Sequence, residues 1–268
     1  KNTAPAVALA ARLLVADDPD AIMVVLPADH VIGDDDSFRS AIRLAVGAAE
    51  TKRALVTLGI RPTRPDTEYG YIRAGGACDL DGVFEVESFE EKPDLERAEG
   101  FIEAGGYYWN SGMFIWRADV FLAEVTRRLP DMAAALSGVS CGPSDAGFDD
   151  ELVRFYESVE GISVDYGIME KADGVLVVPA DFGWDDVGAW PAVARIWPGD
   201  DNGNTVRGDA LVIDSSDCVA YSESGTVAVL GMSGVVVVRT PTATLVCPKD
   251  RAHDVRRIVA ALRTRDGE

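Results

Sequence analysis

Apolar residues along the first part of the chain recur in two ways that take turns: stripes at helical spacing and short unbroken runs. Val7, Ala8, Ala11 and Leu14 share one face of a helix predicted to run through Val15, with Thr3 as its N-cap. The run Ala21 to Leu26 follows, bounded by Asp17-Asp18-Pro19-Asp20 and by Gly33-Asp34-Asp35-Asp36. It predicts a buried parallel strand whose carboxyl tip is Asp29. A second helix is expected from Ser37 to Glu50, with Phe38, Ile42, Ala45, Val46 and Ala49 on one face, and a strand at Ala54 to Gly59. Helix and strand alternate, so the fold class is α/β, a doubly wound, Rossmann-like sheet.

The alternation breaks at Ile60 to Gly76, a polar, bent stretch with Pro62, Pro65, Tyr69, Gly70 and Tyr71, read as a functional loop after a strand tip. Val83 to Phe89 alternates like a half-exposed strand and runs into Glu90-Glu91-Lys92-Pro93. A helix from Asp94 to Ala104 stops at Gly105-Gly106. Tyr107 to Trp116 reads as a strand interrupted by Asn110-Ser111-Gly112, either a β-bulge or a place where a ligand hydrogen-bonds. Helices at 119–129 and 148–159 flank a Gly/Pro/Ser connector, and Val175 to Val178 is a further strand. After Pro198 the texture changes to short valine-rich strands near 205–213, 217–221, 226–230, 234–239 and 242–246, then a helix from Asp250 to Arg263. That division predicts a nucleotide-handling domain at 1–198 and a small β-solenoid-like domain at 199–268.

The overall charge of −20 changes the picture, because it argues against nucleic acid or an anionic membrane as partner. Anionic substrates would be met by a few placed cations and by a bound divalent ion. No apolar run approaches the roughly 20 residues of a membrane span, so a cytoplasmic location is expected. Cys78, Cys141, Cys218 and Cys247 are too far apart for a zinc site or a disulfide framework and read as reduced thiols.

Candidate chemistry falls at the strand ends. Asp29 stands where an α/β sheet handles metals or phosphates, or else caps the next helix. Glu91 suits a sugar hydroxyl and Lys92 a phosphate. Asp185-Asp186, set between Trp184 and Trp190, reads as a second carboxylate for a metal. His30, beside Asp29, reads as structural if side chains alternate there.

Seven ordered motifs resemble the nucleotide-sugar pyrophosphorylases, most closely the mannose-1-phosphate guanylyltransferases: K-N-T-A-P-A at 1–6, L-P-A-D-H at 26–30, E-Y-G-Y-I at 68–72, F-E-E-K-P at 89–93, W-N-S-G-M-F at 109–114, S-V-D-Y-G-I-M-E-K at 163–171 and G-W-D-D-V-G-A-W at 183–190. The resemblance implies attack of mannose 1-phosphate on the α-phosphorus of GTP, giving GDP-mannose and pyrophosphate. By it, Asp29 and Asp186 hold Mg²⁺, Asn2 and Thr3 lie near guanine, and Gly70, Glu91 and Asn110 meet the sugar, with Tyr71 a further substrate-binding candidate as an apolar wall with a polar tip. Lys92 grips its phosphate, with Lys171 a second candidate, and Asp165 orders its loop. It also implies a partial left-handed β-helix at the C-terminal end, serving homodimer formation. The family opens with a strand and a glycine-rich triphosphate loop that this sequence does not contain before Lys1. A leading segment on the order of 60 residues is therefore expected to be missing, and turnover by this chain alone is not expected. The contrasting class is a sugar-nucleotide sensor without activity, against which the paired carboxylates Asp29 and Asp186 argue.

Overall fold

The computed structural model describes residues 1–140 and 142–266; Cys141 therefore lies outside the described residues, while Cys78, Cys218 and Cys247 are free thiols. The chain divides into two compact units, one of Lys1–Ala28 with Ile32–Trp184, the other of Asp29–Val31 with the residues from Asp185 onward.

In the larger unit, helix α1 (Thr3–Asp17) precedes strand β1 (Ile22–Val25), helix α2 (Asp35–Lys52) and strand β2 (Val56–Ile60). Strands β3 (Gly70–Ala77) and β4 (Phe84–Glu91), helix α3 (Leu95–Ala104) and the long strand β5 (Tyr107–Arg117) follow. Helices α4 (Ala118–Arg128), α5 (Pro130–Leu136) and α6 (Phe148–Ser158), a π-helical turn at Asp165–Met169 and strand β6 (Leu176–Ala180) complete it. The sheet order is β1-β5-β2-β6-β4-β3, and β5 also pairs with β3.

The α/β, Rossmann-like class holds, but the sheet is mixed. Only β2 and β6 run parallel, and β5 is antiparallel to β1, β2 and β3. The strand expected to be buried, parallel and tipped by Asp29 is shorter and different in kind. It ends at Val25, ahead of Pro27, lies at the sheet edge against β5, and leaves Val24 40% exposed. Asp29 sits in a bend beyond it, so strand alternation does not govern His30.

Residues 70–77, read as part of a loop, form β3, because β4 and β5 pair with it on either side and bury Gly70, Tyr71 and Ile72. Tertiary pairing here overrides the glycine-rich, polar local sequence. Small differences have local causes. Asn2 rather than Thr3 caps α1, and α2 is capped by Asp34, whose Oδ1 accepts from the amides of Asp36 and Ser37 at 3.0 Å each. Asp29 is therefore not a helix cap.

Helices cover both faces of the sheet. Phe114 and Trp116 of β5 point into a core with α1, α4 and α6, while Trp109, Met113 and Ile115 point into a second core with α2. This is the two-residue alternation of a strand buried on both sides.

The second unit contains helix α7 (Trp190–Ile196), strands β7 (Thr205–Ile213), β8 (Val219–Leu230), β9 (Val235–Arg239) and β10 (Thr244–Pro248), and helix α8 (Val255–Asp266). β7, β8 and β9 are parallel, although short turns connect them, and β9 and β10 form an antiparallel hairpin. Parallel pairing without helical crossovers is the mark of a β-helix coil, here with a corner at the register shift near Gly208. The two short strands read at 217–221 and 226–230 are one bent strand, β8.

Candidate functional site

Asn110 is presented by a bulge in β5. Gly59 of β2 opposes Asn110 and Thr57 opposes Phe114, so residues 111–113 face Leu58 alone. Gly112 takes up φ 66°, and the buried Ser111 hydroxyl donates to the Leu58 carbonyl at 2.7 Å. Of the two readings of Asn110-Ser111-Gly112, the β-bulge is present, and it leaves the Asn110 side chain free of the ladder.

The Asn110 amide is held at both ends. Nδ2 donates to Oδ1 of Asp165 at 2.7 Å, and Oδ1 accepts from the Gly112 amide at 3.2 Å. Gly70, paired with Glu91 across β3 and β4, lies beneath this amide. A Cβ built on Gly70 would come within 2.5 Å of Glu91 Oε2 and 3.4 Å of Asn110 Cβ. A glycine is needed so that the carboxylate and the amide can share that space.

Glu91 is surrounded by charge. Burial pushes its carboxyl pKa up, Lys92 pulls it down, and the carboxylates of Asp165 and Glu170 push it up again. Glu170 is raised by burial and by Asp165. Tyr166, half-exposed, is raised by partial burial and by the same three carboxylates. The π-helical turn assembles this group: the Glu170 amide donates to the Asp165 carbonyl five residues back, at 3.0 Å. Tyr166 and Glu170 belong to the cluster although sequence spacing gave them no role; a π turn redirects side chains that an α-helical wheel places elsewhere.

Other expected residues fall variously. Lys92 stands beside Glu91 with φ 47°, a left-handed conformation for a non-glycine residue that precedes proline. Such strain, held by the surrounding structure, is typical of ligand-handling positions. Lys171 is exposed next to Glu170. Tyr71 is fully buried, and its hydroxyl both donates to the Asp66 carbonyl and accepts from the Asp66 amide, at 3.0 Å. With Arg64, whose Nε and Nη2 both donate to Asp66 Oδ2, it pins the 61–69 loop. Thr3 accepts a bond from the Val164 amide at 2.9 Å, tying α1 to the segment before the π turn, and Asn2 Oδ1 accepts from the Thr3 amide.

In the second unit, Val31 and Asp185 pair through their backbones, which gathers Asp29, His30, Asp185 and Asp186. Burial lowers the His30 pKa, while Asp29, Asp186 and Asp185 oppose that shift, so all three carboxylates act on one imidazole. Asp185 is buried and committed: Oδ1 accepts from the Val187 amide at 2.9 Å and Oδ2 from Arg195 Nε at 2.7 Å. Val187, a β-branched residue, sits at φ 52° between the Asp186 carboxylate and Gly188. Among the described residues no group of three or more His, Cys, Asp or Glu side chains forms a cage for a metal. A pair of carboxylates such as Asp29 and Asp186 still fits a hard divalent ion that keeps waters and takes further oxygens from phosphates.

Residues 1–201 match the family model described as nucleotidyl transferase. The chain belongs to the nucleotidyl transferase family. Residues 208–262 match a second family model, the MannoseP isomerase/GMP-like beta-helix domain, in agreement with the coil described above. Among its relatives, the alginate biosynthesis protein AlgA of Pseudomonas aeruginosa is 43% identical over 98% of this chain and 55% of its own length. The mannose-1-phosphate guanylyltransferase of Escherichia coli is 41% identical over 98% of this chain and 56% of its own. A solved structure described as mannose-1-phosphate geranyltransferase from Thermus thermophilus superposes with a TM-score of 0.85 at 38% identity, covering 98% of this chain and 75% of that one. The chain thus spans about half the length of the curated relatives it matches. A divalent metal is general in the family. Among its described residues no helix is long and apolar enough to cross a membrane.

Proposed function

We propose that the protein transfers GMP from GTP to mannose 1-phosphate, releasing pyrophosphate and giving GDP-mannose. What supports the reading above all is the cluster in which the Glu91 carboxylate and the Asn110 side chain close over Gly70, which has no side chain of its own. Acceptors and donors set at close quarters over bare backbone suit a polyhydroxylated ring. The name of the Escherichia coli relative supplies the sugar and the base.

An oxygen of the sugar phosphate forms a bond to the α-phosphorus of GTP while the bond from that phosphorus to the β-phosphate breaks. Pyrophosphate leaves with the electron pair. The nucleophile is already anionic, so no side chain need take a proton, and the protein's part is alignment and charge neutralisation. Glu91 accepts hydrogen bonds from sugar hydroxyls and Asn110 offers its remaining N–H and lone pair. Lys92 meets the sugar phosphate, Lys171 adds positive charge beside it, Tyr71 keeps the adjoining loop in place, and Asn2 and Thr3 face the base. Asp29 and Asp186 hold Mg²⁺, which when bound neutralises phosphate charge. Residues 1–198 carry this chemistry and 199–268 the β-helix, whose exposed Leu211, Leu230 and Val246 suit a homodimer contact.

The test is pyrophosphate release by the intact protein with Mg²⁺, pairing GTP, ATP, UTP and dTTP each with mannose 1-phosphate and glucose 1-phosphate. Turnover concentrated on GTP with mannose 1-phosphate is the expected result. Turnover with another pair moves the specificity. No turnover alongside binding of GDP-mannose makes the protein a sensor.

A further inference from the structure

An asparagine side chain carries a donor and an acceptor of nearly the same shape, so what it reads in a ligand depends on which end points where. At Asn110 that choice is made by two groups that cannot exchange roles. The Asp165 carboxylate can only accept, and it takes the Nδ2 hydrogen at 2.7 Å; the Gly112 amide can only donate, and it serves Oδ1 at 3.2 Å. Turning the amide over would set acceptor against acceptor and donor against donor.

Asp165 is itself firmly placed. The Glu170 amide donates to its carbonyl at 3.0 Å, the Gly167 amide donates to the Ser163 carbonyl at 2.9 Å, and the neighbouring Val164 amide donates to Thr3 Oγ1 at 2.9 Å. Gly167, Ile168 and Met169, which follow it in the π turn, are buried. The bond to Asn110 is short because its acceptor is charged. A rigid carboxylate therefore faces a sugar-reading amide across 55 residues of sequence.

We propose that Asp165 is a positioning residue for sugar 1-phosphate binding, acting on the substrate chiefly through Asn110 by fixing which end of that amide meets the ligand. The inference rests on the reading of Glu91 and Asn110 as the sugar pocket. It assigns to one bond both the direction of the amide and the single N–H and lone pair left over for the sugar.

The experiment is steady-state kinetics of the intact protein and of its D165A, D165N, N110A, N110A/D165A and N110D/D165N variants, varying mannose 1-phosphate and then GTP, with thermal unfolding of each. D165A is expected to raise the KM for mannose 1-phosphate about tenfold, the effect of freeing one charge-assisted hydrogen bond, with the KM for GTP little changed. D165N recovers most of that loss, because its carbonyl still accepts from Asn110. The N110A/D165A pair is expected to be no worse than N110A. In the exchanged pair N110D/D165N the bond re-forms with donor and acceptor swapped, so the melting temperature returns while the sugar KM does not.

A D165A effect that multiplies in full onto N110A shows Asp165 acting independently and overturns the inference. So does an exchanged pair that restores the KM, because then the bond serves only the fold. If N110A alone leaves the KM unchanged, the sugar-pocket reading itself falls, and the inference with it.

Discussion

Val31 and Asp185 exchange both of their backbone hydrogen bonds, Val31 N to Asp185 O at 2.8 Å and Asp185 N to Val31 O at 3.1 Å. The bridge brings together two stretches more than 150 residues apart in the chain and sets Asp29 and Asp186 around one histidine. The two adjacent carboxylates at 185 and 186 then divide their work. Asp185 holds Arg195 and its own turn, while Asp186 accepts the Gly188 amide through Oδ1 at 3.1 Å.

Substitution separates those roles. Asp186→Asn keeps a carbonyl for Gly188 and is expected to retain the melting temperature while losing metal-dependent turnover. Asp185→Asn lowers stability by about 1–2 kcal/mol, because a charge-assisted bond to Arg195 is lost. A Mg²⁺ titration of activity beside urea unfolding of both variants distinguishes them; undiminished activity of Asp186→Asn at limiting Mg²⁺ removes it from the metal site.

Gly70→Ala probes the close packing under the sugar pocket. The new methyl meets the far end of Glu91, a flexible group, so the fold is expected to survive with a cost of about 1 kcal/mol or less. Displacing the carboxylate is a different matter, and the KM for the sugar phosphate should rise about 10- to 100-fold. An unchanged KM, with Glu91 still in place by crystallography of the variant, places the sugar elsewhere.

Glu91 and Glu170 both bind protons more readily in the fold than in the unfolded chain. For groups raised in this way, the contribution to stability is present at acid pH and is lost as pH rises through the folded pKa. Glu170→Gln is therefore expected to be more stable than the parent at neutral pH, with the advantage shrinking on acidification. Removing that charge also lets Glu91 ionise at lower pH, so the acid limb of kcat/KM for mannose 1-phosphate moves to lower pH. Thermal unfolding and pH–rate profiles of this one variant check both signs.

Gly208→Ala tests the β-helix corner. Gly208 sits at φ 76°, and an added Cβ would lie 1.8 Å from the Ser222 carbonyl oxygen of the adjacent coil. Backbone must move, so a loss well above about 1 kcal/mol is expected. Limited proteolysis should cut first in residues 199–266, with the larger unit left protected; uniform digestion would show instead that the two units unfold together.

Much of the fold was legible locally. The helical stripes of α1 and α2 and the stop of α3 at Gly105 followed from spacing and capping chemistry, and an interruption of the strand at Asn110-Ser111-Gly112, though not its kind, from a glycine and a buried amide. Strand β3 was not legible, because Gly70 to Ala77 has no pattern of its own and is a strand only through partners on both sides. Nor was strand direction: an apolar run such as Ile22–Val25 reads alike whether its neighbour is parallel or antiparallel.

For the site, the sequence by itself determined which carboxylates, amides, lysines and glycines the protein possesses. Only the tertiary structure decided which of them meet. Asp165, at the head of the π turn, meets Asn110 from 55 residues away, and of the adjacent pair it is Asp185 that is buried against Arg195 and the Val187 amide. Residue types are set by covalent sequence, but hydrogen bonds between distant segments depend on backbone geometry that packing alone imposes.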